Sequence, residues 1–183
     1  MAKQTPIDIA FKRCRLLAAI VDREYDRALA DPTAERYETL DVTAKGDKKA
    51  VAEEKIRESF TQLQDLVRHL TILDMVASFE LSFNQRITTA IGSARSALKA
   101  KHSNQALASR EKLIRNADEF RGLAKISDLF ESDLDALVKD TIEDIRTNRN
   151  NFAHGTNLTQ PPTIDKDLAL EALNKVFELL KPS

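Results

Sequence analysis

The sequence predicts an all-α protein, a helical bundle of five to seven helices around a long central helix or helix pair. Three observations predict it. Apolar residues recur at three- and four-residue spacing over long stretches, the period of a helix with one buried face. The chain has only four Gly and five Pro, and Pro6, Pro32, Pro161, Pro162 and Pro182 all fall between the periodic stretches, where helices tolerate them. No two segments alternate in the way that paired strands require. With 183 residues the chain can bury a substantial core, and it reads as one domain spanning 1–183.

Residues 6–30 form the first helix, with Ile9, Phe11, Leu16, Leu17, Ile20, Val21, Tyr25, Ala28 and Leu29 as its apolar stripe. Asp31-Pro32-Thr33 ends it, a short helical piece follows at 34–40, and residues 43–49 read as a charged, mobile loop. From about 50 to 102 helical patterning runs without proline. Ile56, Phe60, Leu63, Val67 and Leu70 share one track, followed by Ile72, Val76, Phe79, Phe83, Ile87 and Ala90. One long helix or two nearly collinear ones result, with Gly92, Ser93 and Ser96 as the weakest point and the place for a bend. Ser103 or Asn104 caps a helix to Phe120, Gly122 stops it, and Ser127 to Phe130 makes a turn. Ser132 then caps a helix with Asp133 and Asp135 in its first turn. Its buried stripe is Leu134, Leu137, Val138, Thr141, Ile142, Ile145 and Asn148. After a proline-containing loop at 156–163, residues 165–180 form the last helix through Leu168, Leu170, Leu173, Val176, Phe177 and Leu180.

Composition excludes several functions. The 28 basic and 29 acidic residues are mixed along the chain for a net charge of −1, so there is no global field to hold a polyanion and any nucleic-acid contact needs a local patch. The lone Cys14 excludes an intramolecular disulfide framework and a cysteine-cluster metal site, and it fits a reducing, cytoplasmic compartment. Its spacing from Ala10, Leu17, Ala18 and Val21 marks it as a small core residue rather than a nucleophile. No run of about 20 apolar residues is present, so neither export nor membrane insertion is expected. Gly-rich phosphate loops, zinc helices, serine elbows and dinucleotide fingerprints are missing, and no cofactor or metal is expected.

One segment carries chemistry: Arg149-Asn150-Asn151-Phe152-Ala153-His154-Gly155. Arg149 and His154 are about 140° apart on an ideal helix, so they converge only where the helix ends between them. Gly155 and the loop after it suggest such an ending. Histidine exchanges protons near neutral pH, and arginine offers a fixed fork of donors to a phosphate. The pair suits RNA cleavage by internal transesterification.

This segment resembles the motif of the HEPN superfamily, in which an Arg, a polar residue that is often Asn, and a later His close a late helix of an all-α domain. The resemblance implies a metal-independent endoribonuclease acting as a homodimer, with two motifs meeting at a shared cleft. It casts Arg149 as the neutraliser of the phosphate, His154 as base or acid and Asn150 as the group that orients His154 or the phosphate, with Asn151 in support. Glu80 is the candidate for the acidic residue such domains carry on an earlier long helix. Phe79 and Phe83 set it at the rim of an apolar face, where a carboxylate needs a partner such as Arg149. The family further suggests a toxin or antiviral defence effector, with an antitoxin or regulatory protein as partner.

Plainer readings stand beside these. Arg149 and His154 are also what a helix C-terminus gains from cationic side chains near its negative dipole end. Glu80 reads equally well as a rim carboxylate. His69 and His102 are assigned no chemistry, and Lys99, Lys101, Arg110, Lys112 and Arg115 form either an RNA path or a solvated face. The alternative function is a non-catalytic helical interaction module or RNA-binding subunit.

Overall fold

The computed structural model describes residues 4–32, 48–99, 132–154 and 164–179, together with Ala108, Leu123, Lys125 and Phe130. The described elements are all helical. Helix α1 spans Pro6–Ala30, α2 Lys48–Lys99, α3 Ala136–Ala153 and α4 Lys166–Leu179. The helices expected at 34–40 and from 103 to 120, the loop at 156–163, His102, and the cluster of Lys101, Arg110, Lys112 and Arg115 lie outside the described residues.

Helix α1 opens on a device that its first residues encode. Thr5 Oγ1 accepts from the Asp8 N–H at 3.1 Å and Asp8 Oδ2 accepts from the Thr5 N–H at 2.8 Å, a reciprocal cap that satisfies two otherwise orphaned donors. Pro6 occupies the first turn, where its missing N–H costs nothing. Asn174 on α4 extends the network, accepting from Thr5 Oγ1 at 2.8 Å and donating to Asp8 Oδ1 at 3.0 Å. The start of the chain is thereby tied to its last helix.

Helix α2 is the spine. Its 52 residues run unbroken through Gly92, about 78 Å at 1.5 Å per residue, and its start at Lys48 takes Lys48 and Lys49 out of the expected loop. Helix α1 lies antiparallel against the first half of α2, as three polar contacts show: Arg57 Nη1 donates to Tyr25 Oη, Gln64 Nε2 to Asp22 Oδ1, and Arg13 Nη2 to Asp74. Between them Val21, Ala28, Ile56, Phe60 and Val67 form a small core. The larger core forms where the second half of α2 meets α3, α4 and the start of α1. Phe79, Phe83, Ile7, Ile72, Met75, Ile145 and Leu173 are among its fully buried members.

The apolar stripes need revision at several positions. On α1 the buried face is Ile7, Ala10, Phe11, Cys14, Val21 and Ala28, whereas Ile9, Leu16, Leu17 and Ile20 face outward. On α2 Leu63 and Leu70 are exposed, on α3 Leu137 is 65% exposed, and on α4 Leu168 is exposed. Each helix buries a narrower arc than its apolar residues could cover, because it meets neighbours on fewer sides than its stripe allows. Helix α3 begins later than Ser132 suggested. Asp135 is the cap, its Oδ1 accepting from the Val138 N–H at 2.9 Å, while Ser132 turns its hydroxyl to Asp133.

Candidate functional site

The last two turns of α3 carry the Arg-Asn-x-x-x-His segment, and α2 positions them. Helix α3 sits on the core through Val138, Thr141, Ile142, Ile145 and Asn148. That face turns Arg149 toward α2, where its Nη2 donates to Glu80 Oε2 at 3.2 Å. Glu80 Oε1 accepts from the Leu123 N–H at 3.2 Å. The carboxylate is thus held from two sides, at 17% side-chain exposure against 41% for Arg149. Part of the guanidinium stays open to solvent.

One turn further on, Phe152 packs against His69 of α2, with ring centroids 5.5 Å apart and planes at 39°. His69 is 5% exposed. Sequence reasoning assigned it no chemistry and missed this contact, although a signal was present. His69 and Glu80 are eleven residues apart, about three full turns, and so lie on one face of α2. That face receives the end of α3.

His154 closes the helix as its C-cap, with φ −90° and ψ 3°, and its N–H donates to the Asn150 carbonyl at 3.0 Å. The helix therefore ends between Arg149 and His154, as the sequence suggested: Arg149 lies in its last turns, Ala153 is its last residue and His154 stands just beyond it. Asn150 and His154, four residues apart, are both exposed. Asn151 is half-buried.

Asn148 adds a feature that its apolar-stripe position concealed. It is 4% exposed, and its Nδ2 has no hydrogen-bond partner among the described residues. A buried donor left unpaired costs about 1–3 kcal/mol. It lies immediately before Arg149.

Away from this segment, a cavity of about 210 Å³ lies between α1, α2 and the start of α4, reached by Cys14 and Thr71. Burial pushes the Cys14 thiol up from its ordinary value, a hydrogen bond with Thr71 opposes this in part, and the neighbouring Asp74 carboxylate adds to the rise. Its position suits a core residue. Among the described residues no helix is long and apolar enough to cross a membrane. In comparisons with known proteins, no family model, no curated protein and no solved structure matches the chain.

Proposed function

We propose that the chain is a HEPN-type, metal-independent endoribonuclease acting as a homodimer, residues 1–183 forming a HEPN-like bundle of five to seven helices. The observation that carries this reading is the Arg149–Glu80 pair at 3.2 Å, which fixes an arginine beside Asn150 and His154 on the last turns of α3. A guanidinium clamped by a largely buried carboxylate keeps its remaining donors pre-oriented for a phosphate.

One chain offers a single His154, whereas transesterification uses both a base and an acid, which two copies supply. In a shared cleft, one His154 takes the proton of the substrate 2'-hydroxyl as its oxygen bonds to the adjacent phosphorus. The bond from phosphorus to the 5'-oxygen breaks, and the second His154 delivers a proton to that oxygen. The products are a 2',3'-cyclic phosphate end and a 5'-hydroxyl end, with no water consumed. Arg149 offsets the charge on the phosphate, Asn150 orients His154 or the phosphate with Asn151 in support, and Glu80 is a positioning residue. DNA, lacking the attacking hydroxyl, is left intact. A toxin or defence effector held by an antitoxin or regulatory protein is the biological role that fits such an activity.

A second reading, a non-catalytic interaction or RNA-binding module, is favoured by one observation: Leu16 and Ile20 stand 65% and 54% exposed along the outer face of α1, an apolar strip suited to a protein partner. Purified protein incubated with mixed RNA in EDTA, beside Arg149→Ala and His154→Ala, separates the two. Cyclic-phosphate ends that disappear in both folded variants support the nuclease. RNA left whole by a folded wild-type dimer transfers the assignment to the module.

A further inference from the structure

We infer that the cavity between α1, α2 and the start of α4 is a binding site for a small phosphate monoester with an apolar body, separate from the end of α3. Three cationic side chains from three helices line it: Arg15 of α1, Arg68 of α2 and Lys166 of α4. The one carboxylate in the lining is Asp22, whose Oδ1 is occupied by the Gln64 amide at 2.8 Å. Arg68 is bound to Asp65 at 2.8 Å and Lys166 lies 3.6 Å from Asp167, while Arg15 has no ion pair among the described residues. Two of the three are thus already paired, and Arg15 is the cation whose charge is left for an entering anion.

The floor is of the other kind. Ala18, Val21 and Val67 supply apolar surface between the two long helices, so an inorganic anion alone would leave that surface wet, whereas an apolar group joined to the anion would cover it. Three donor groups on three sides match a phosphate monoester, with its three terminal oxygens, better than a carboxylate with two. The volume of about 210 Å³ falls below the roughly 300 Å³ at which ordinary ligand pockets begin. A compact metabolite fits this space, and a stretch of RNA does not.

Calorimetric titration with phenyl phosphate at low ionic strength tests the site, with phenol, benzoate and inorganic phosphate as comparisons. Saturable binding of one phenyl phosphate per chain, tighter than for any of the three comparisons, is the expected result. Arg15→Ala, an exposed change that leaves the packing alone, weakens binding about tenfold, the loss of one charge-assisted contact. Ala18→Phe fills the floor and abolishes binding while helicity is kept; should that variant unfold, Arg15→Ala alone decides. Absence of saturation up to ~10 mM, or an affinity unchanged by Arg15→Ala, overturns the site, and benzoate binding as tightly overturns the phosphate assignment. None of these readouts depends on RNA cleavage.

Discussion

Arg149 and Glu80 join the end of α3 to the middle of α2 across 69 residues of sequence, and the same carboxylate holds the backbone at Leu123. One side chain therefore ties three parts of the chain together. Removing it exposes the dependence.

Glu80→Ala leaves a guanidinium and a backbone N–H without their acceptor, and the expected cost is about 2 kcal/mol in urea unfolding. Glu80→Gln keeps an acceptor for Leu123 and costs about half as much. In a double-mutant cycle with Arg149→Ala the coupling is about 1 kcal/mol. Effects that simply add would show that the pair is not held in solution.

Asn148→Leu tests the unpaired buried amide. The substitution keeps much of the volume and removes a donor with no partner among the described residues, so stability is unchanged or raised, by up to about 1 kcal/mol. A loss of more than about 1 kcal/mol would mean that the amide is satisfied in solution. The urea midpoint of the single variant decides.

Acid weakens the fold through carboxylates whose protonation the folded state resists. Burial alone would raise the Asp8 carboxyl, but hydrogen bonds from Thr5 and Asn174 outweigh it and hold it below its ordinary value. Asp135 is held down by the Val138 N–H and then by Lys175, and Glu143 by Arg146. A depressed folded value means that the unfolded chain binds protons first. The stabilisation is thus complete above the unfolded value of about 4, and it is lost as pH falls through the lower folded values. Asp8→Asn should flatten the loss of stability between about pH 5 and 2, measured by urea midpoints at each pH; an unchanged slope would remove Asp8 from the account.

Cys14 reports on the α1–α2 seam. With 8% exposure and its thiol pushed up by burial, it alkylates slowly at pH 7, at least tenfold slower than the same chain in urea. Equal rates in the two conditions would show that the seam opens freely.

The bounds of the first helix were legible because Pro6 opens it and Asp31 and Pro32 close it by local chemistry, which needs no tertiary partner; the Thr5–Asp8 cap was not read from the sequence. The long helix was legible only as one helix or two nearly collinear ones: no proline interrupts α2, and the structure shows that Gly92, costing about 1 kcal/mol against Ala, does not break it. The start of α3 was misjudged because Ser132 and Asp135 are both good caps. Asp135 reaches the Val138 N–H, and Lys175 of α4 also holds its carboxylate at 3.2 Å, a contact that the local sequence cannot announce.

The sequence by itself determined the helical class, the element carrying the Arg-Asn-x-x-x-His segment and the polar residues that segment presents, because periodicity and capping are short-range properties of the backbone. Tertiary structure alone decided which part of each apolar stripe is buried and that His69 supports Phe152, and it formed the Arg149–Glu80 contact that the sequence had suggested. These depend on where one helix crosses another. That follows from the packing of residues far apart in the chain, where a shift of one position on a helix rotates a side chain by about 100°.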